Sequence, residues 1–215
     1  MNERNAMLEK QYIPNSLLYI ALVTIEDVMG RNGLNAILNA SSMTKFRDNI
    51  PPNDAEKVYP ATDFSFLIKG LIDVIGEKGA RAIMTNAGRK GFRNIVEQSP
   101  ELFGLVGMEL EKMATDRERI SSLLNAITYE TNQIFGEGHQ TFEEIDGRFI
   151  VSIHRCSWCH SLHDSDIPIC YGEVGFDDEA VFWATKKRYK VTETACRAMG
   201  EPACVFEIAE IPEDA

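Results

Sequence analysis

All five cysteines and all four histidines of this 215-residue chain fall between positions 139 and 204. Apolar packing alone does not require such crowding. Either the fold gathers these side chains at one place, or it leaves several thiols scattered over one segment. Cys156 and Cys159 form C-x-x-C, and His160 extends the pattern to C-x-x-C-H, which is also the attachment signature of c-type haem. Cys170 follows, then Cys196 and Cys204 eight residues apart, with Glu193 three positions before Cys196. Zinc takes four soft or borderline ligands in a tetrahedron. Turns and strand ends could bring Cys170, Glu193, Cys196 and Cys204 together as a closed, structural zinc site. Iron is the alternative metal, because four thiolates can also hold an iron–sulfur cluster.

The haem pattern has to be weighed against the compartment. Residues 17–25, "LLYIALVTI", are a nine-residue apolar run, too short to span a bilayer. Glu3 and Glu9 precede it, Glu26 and Asp27 follow it, and no small-residue cleavage site comes next. The run therefore reads as a buried helix of a cytoplasmic protein with no membrane span. Covalent haem of the c type is normally attached outside the cytoplasm, so that reading is disfavoured here. An odd number of cysteines in a reducing compartment also argues against disulfides. Cys156, Cys159 and His160 then remain open to three roles: an additional thiol or metal-ligand site beside the zinc, a redox pair, or plain packing. No thioredoxin-like βαβ pattern surrounds the pair to support the redox role. His154, His160 and His163 read as solvated loop histidines before they read as ligands of a metal or tetrapyrrole. Trp158 and Trp183 suit either a pocket wall or the core.

The first half carries an internal echo. "DVMGRNGLNAILNASSMTKF" (27–46) aligns with "DVIGEKGARAIMTNAGRKGF" (73–92) at a shift of 46 residues. Each copy predicts a helix, a G-x-x-G break and a second helix, with glycine closing the first helix. Residues 1–100 are thus expected to be a helical region of two related hairpins, which suggests a homodimer surface. The stretches 49–60 and 97–104 read as loops.

Residues 101–215 predict a second pattern. Thr115 and Glu118 have capping-box spacing, and Ile120, Leu123, Leu124, Ile127, Ile134 and Phe135 follow at helical intervals. Asp146-Gly147 sits between two alternating segments, a hairpin signal. A helix within 168–184 and strands over 188–196 and 203–211 complete an α+β domain with an antiparallel sheet. Asp177, Asp178 and Glu179 read as a solvated acidic face.

Charge and motifs narrow the function. A net charge of -11 with no basic stripe disfavours nucleic acid and anionic membranes as partners. No strand-linked G-x-G-x-x-G or G-x-S-x-G is present, so neither a dinucleotide-dependent enzyme nor a nucleophile-elbow hydrolase is indicated.

The stretch "PICYGEVGFDDEAVFWATKKRYKVTETACRAMGEPACVFEI" (168–208) resembles the V4R (vinyl-4-reductase) domain family. The likeness rests on E-x2-C-x3-G-x3-C-x-F from Glu193 to Phe206 and on the 26-residue interval from Cys170 to Cys196. A C-x-x-C a short way upstream adds to it. The motif-bearing part is about 60 residues, 150–208. The resemblance implies an α+β ligand-binding fold related to TRAPP-type trafficking subunits and, more distantly, to haem–nitric-oxide binding domains. Matched one by one, it places zinc ligands on Cys170, Glu193, Cys196 and Cys204. It implies a hydrophobic, aromatic or tetrapyrrole-like ligand, with a carrier or accessory role in bacteriochlorophyll synthesis. A vinyl reductase, an iron–sulfur or redox protein, and an aromatic-effector sensor are the alternatives. The ATPase and DNA-binding modules of the aromatic-sensing regulators in that family are not expected within these 215 residues.

Overall fold

In the computed structural model, residues 11–213 are described; Glu3 and Glu9 of the export reading lie outside them. The chain enters through strand β1 (Tyr12–Ile13), then helix α1 (Asn15–Ala40), strand β2 (Tyr59–Pro60) and helix α2 (Ala61–Gln98). β1 and β2 pair antiparallel, which ties together the entries to the two long helices. The apolar run 17–25 lies in α1, where Leu18, Ala21, Leu22 and Ile25 are buried. Among the described residues, no helix is long and apolar enough to cross a membrane.

The echo in sequence is an echo in backbone. α1 and α2 are each two helical segments meeting at a kink, at Gly30 (φ 71, ψ 172) and at Gly76 (φ 74, ψ 168). Positive φ with ψ near 170° is a conformation that essentially only glycine adopts. A Cβ at either position would meet nothing within 4 Å. The backbone angle, not lack of space, therefore demands glycine there. The two kinked helices pack on each other. The break expected after residue 97 holds a short 3-10 turn, Pro100–Phe103.

Helix α3 (Asp116–Phe135) begins at the expected capping box. The Thr115 hydroxyl accepts from the Glu118 amide at 3.2 Å, and the Glu118 carboxylate accepts from the Thr115 amide at 3.0 Å. Ile120, Leu123, Leu124 and Ile127 form its buried stripe. Strands β3 (Gln140–Ile145) and β4 (Arg148–Ile153) follow as a hairpin, with Asp146 (φ 48) and Gly147 (φ 82) both left-handed, as a type I′ turn requires. Helix α4 (Tyr171–Thr185) leads to β5 (Tyr189–Ala195) and β6 (Cys204–Pro212). The sheet is antiparallel throughout, in the order β3-β4-β6-β5. Its β4–β6 register pairs Ile153 with Cys204. α4 lies against α2, α3 and β5. The fold is thus α+β, with helices packed against an antiparallel sheet.

The acidic run is not a solvated face. Asp177, Asp178 and Glu179 are 2%, 7% and 6% exposed. They lie on α4 where it packs against α2. Arg89 and Arg93 of α2 reach Asp178 at 2.5 Å and Glu179 at 3.0 Å, and Arg188 reaches the same two carboxylates at 3.0 and 3.1 Å. Cations from two other segments of the chain replace the lost solvation of Asp178 and Glu179, whereas Asp177 has no such ion pair and burial pushes its carboxyl up.

Candidate functional site

Six buried donors converge where the end of β4, the start of α4 and the β5–β6 connection meet. Cys156 lies three residues after β4, Cys159 in the next turn, and Cys170 caps the N-terminus of α4. Glu193 is in β5, Cys196 just after it, and Cys204 opens β6. All five sulfurs are free and buried. The Sγ–Sγ separations are 3.5 Å for Cys156–Cys170, 3.4 Å for Cys159–Cys204, 3.8 Å for Cys170–Cys196 and 3.7 Å for Cys170–Cys204. These are too long for a disulfide, whose S–S bond is about 2.0 Å. A tetrahedral ion with metal–sulfur bonds of about 2.3 Å sets its sulfurs about 3.8 Å apart, close to what is seen.

Two groups of four have their ligand atoms all within 4.8 Å of one another. One is Cys170, Glu193, Cys196 and Cys204, the set expected from the sequence. The other is Cys156, Cys159, Cys170 and Cys204. The C-x-x-C pair therefore joins the other thiols rather than standing apart. Glu193 holds the Cys170 amide through Oε2 at 2.8 Å, while its Oε1 has no partner. Burial, then the neighbouring Cys196, pushes its carboxyl up to about 9. Burial likewise pushes the Cys156 thiol up to about 12. A divalent cation among these donors would reverse that preference for protonated forms, so the residues fit a metal ion.

The histidines of the segment divide. His154 and His163 are exposed, as expected. His160 is not a solvated loop residue. It is 5% exposed, because it follows Cys159, whose sulfur is anchored at Cys204.

Beside the cluster lies a cavity of about 350 Å³. Its apolar wall includes Leu17 of α1, Phe103, Ile127 and Phe135 of α3, Trp158, and Phe176 of α4. Cys156 and Ser157 line it as well, so the Cys156–Cys159 turn is shared between cavity and thiols. Trp158 packs against Phe64 at 4.7 Å between ring centroids and serves as both core and wall.

Lys57, His139, Cys156 and Glu173 are the titratable side chains among the residues lining this largely apolar space. The His139 ring stacks on Phe135 at 4.7 Å, and its buried Nδ1 has no protein partner. Burial, then the nearby Arg155, lowers its pKa to about 3, so the ring is neutral. Glu173 accepts the Trp158 indole N–H at 2.7 Å, and burial raises its carboxyl to about 7. Asp177, one turn further along α4, is also pushed up by burial and by Glu173.

The Glu173 shift has a consequence for stability. Below pH 4.5 the carboxyl is protonated in folded and unfolded chains alike. Between about pH 4.5 and 7 the unfolded chain ionises while the folded one resists, so stability falls as pH rises through that window and then levels off. His139 acts oppositely: its lowered pKa removes stability as pH falls from 6.5 towards 3. Thermal melts of wild type and Glu173→Gln between pH 5 and 8 are expected to diverge. The variant should lose the decline on the alkaline side, and parallel curves would mean that Glu173 ionises freely.

Neither His139 nor Glu173 stood out in the sequence. No local pattern marks them, because the cavity is walled by segments from Pro14 to Phe176.

Comparison with known proteins fits this geometry. Residues 149–210 match the V4R domain model, a span that includes all six donors. An uncharacterized protein of Methanocaldococcus jannaschii is 30% identical over 81 residues, 37% of this chain and 44% of that protein. The matched stretch is thus less than half of that relative's length. Among solved structures, an H-NOX protein from S. oneidensis in the Fe(II)NO ligation state superposes with a TM-score of 0.58 at 11% identity. That match covers 92% of this chain and 98% of the other. An Fe(II) unliganded H-NOX mutant from K. algicida gives 0.58 at 14% identity, covering 94% and 98%. An H-NOX from Shewanella woodyi in the Fe(II)CO state gives 0.56 at 16%, covering 94% and 96%. At these identities the likeness is one of fold.

Proposed function

We propose that this chain binds a neutral, largely apolar small molecule in the cavity, next to a structural metal held by the thiol cluster. The observation that carries the proposal is a largely apolar cavity lined by His139, a neutral imidazole whose buried Nδ1 has no protein partner. Small-molecule sites are typically apolar pockets with a few placed polar groups. At neutral pH the His139 ring carries no charge, so nothing on it favours an ion as ligand. An aromatic molecule with one hydroxyl or amine fits this wall.

The metal's contribution when bound is structural. It draws together donors from β5, the β5–β6 connection, β6 and the N-terminus of α4. Cys170, Glu193, Cys196 and Cys204 are its proposed ligands. Sulfurs 3.4–3.8 Å apart suit zinc or a single iron better than a four-iron cluster, which spreads its thiolates around a larger core.

A second reading has its own support. The solved neighbours include work on haem distortion in the H-NOX family, and His139 is the one histidine lining this cavity. A haem or another tetrapyrrole is therefore the alternative occupant, which keeps the carrier role for bacteriochlorophyll precursors in view.

One titration separates the two. Trp158 fluorescence in a Trp183→Phe background is followed as phenol, 2-naphthol, naphthalene or haemin is added. Saturable quenching by 2-naphthol is expected, with His139→Leu weakening it up to about tenfold, the worth of one hydrogen bond. Naphthalene should bind the variant as well as wild type. A Soret shift with haemin that vanishes in His139→Leu would favour the tetrapyrrole, and no saturable change with any of them would end both.

A further inference from the structure

The two four-donor groups in the thiol cluster share Cys170 and Cys204 and nothing else. Together they comprise six donors: two shared, and two private to each group. Two tetrahedra that share one edge need the same count, with two bridging ligands and four terminal ones. We infer that the cluster is a two-metal site. Cys170 and Cys204 bridge the ions, Cys156 and Cys159 complete one tetrahedron, and Glu193 and Cys196 complete the other. The inference rests on the reading that the Cys170, Glu193, Cys196 and Cys204 group holds an ion, and adds a second ion to it.

The distances fit these roles. The two bridging sulfurs are 3.7 Å apart, as the shared edge of two tetrahedra should be. Each terminal thiol is in contact with a bridging one: Cys156 and Cys196 with Cys170, at 3.5 and 3.8 Å, and Cys159 with Cys204 at 3.4 Å. A single ion leaves two buried donors unused in either position. In the all-sulfur group it strands Cys196, 0% exposed, and Glu193, which is 8% exposed and has an unpartnered Oε1. In the mixed group it strands Cys156 and Cys159, 0% and 1% exposed. Two ions use all six.

Charge agrees as well. Five thiolates and one carboxylate carry six negative charges, and two divalent ions offset four. The residual charge equals that of one ion in four anionic donors, yet it is spread over more atoms. The Arg197 amide also donates to Cys204 Sγ at 3.3 Å, which helps a bridging sulfur carry its charge.

The test uses the full chain, stripped of metal under reducing, anaerobic conditions. Native mass spectrometry after zinc addition is expected to show two ions per chain, and one in a Cys156→Ser, Cys159→Ser double variant. Cobalt(II) gives an independent readout. Its paramagnetic resonance signal should rise to one equivalent and then fall as the second ion couples to the first through the bridging sulfurs. Saturation of wild type at one ion would overturn the two-metal site while keeping the structural metal; no bound ion at all would overturn both. A signal that grows linearly to two equivalents would show separate ions and no bridge, and would also overturn it. If the double variant fails to fold, the wild-type stoichiometry and the cobalt signal still decide.

Discussion

Cys204→Ser is expected to empty the thiol cluster of metal and to lower the melting temperature by about 15 °C or more. Cys204 belongs to both four-donor groups, so its loss damages every arrangement of ions that the cluster can hold. Structural zinc contributes apparent binding energies of about 10–16 kcal/mol in small zinc-dependent domains. This chain also has an extensive hydrophobic core that runs from the two long helices to the sheet, so only part of such a value should appear as stability. A loss of about 5 kcal/mol corresponds to roughly 15 °C in a chain of this size. A buried cysteine replaced by serine also suffers from an unsatisfied hydroxyl, which costs about 1–3 kcal/mol. A chelator separates the two effects. Wild type treated with phenanthroline under reducing conditions should melt near the variant, and the variant itself should not respond. If wild type stripped of metal melts unchanged, the sulfurs are packing groups and the structural-metal proposal fails. The same stripping should weaken 2-naphthol binding, because Cys156, a member of the all-sulfur group, lines the cavity beside Trp158.

What could be read from the sequence was local. The capping box at Thr115 and Glu118, the Asp146-Gly147 turn and the alternating strands are each decided by neighbours a few residues apart, and each has the expected geometry. The convergence of Cys170, Glu193, Cys196 and Cys204 was legible for a related reason: a strand pair and its connection fix most of their spacing. The inclusion of Cys156 and Cys159 stayed one of three open roles, since it depends on the β4–β6 register that sets Ile153 beside Cys204. The acidic run misled because charge alone says nothing of what covers it. Arg89 and Arg93 lie on α2, more than 80 residues before the acids they meet. His139 and Glu173 were silent for the same cause, being brought to one cavity only by segments distant in sequence.

The contact that buries those acids leads to the second large expectation. Helices α2 and α4 cross through glycines, backbone against backbone. A Cβ on Gly88 would lie 1.8 Å from the Gly172 carbonyl oxygen, and one on Gly175 would lie 2.0 Å from that of Thr85. Neither obstacle can rotate aside, as a side chain could. Gly88→Ala or Gly175→Ala must therefore push the helices apart. Overpacking usually costs about 1–3 kcal/mol, and a backbone clash should sit at or above the top of that range. A melting temperature lower by about 6–12 °C is expected. The damage would spread along α4, because the Arg89–Asp178 and Arg93–Glu179 pairs span the same interface and Cys170 caps the helix end. Gly91→Ala, three residues from Gly88 with nothing within 4 Å of its Cβ, is the control. It should be neutral or gain up to about 1 kcal/mol from helix propensity. Gly172→Ala differs again: its Cβ would meet the Trp158 ring at 1.9 Å, a side chain that can move. That variant should change ligand binding more than stability, because the ring it displaces is cavity wall. Equal melting temperatures for Gly88→Ala and Gly91→Ala would mean that the helices do not meet at Gly88. The buried acids would then need another explanation.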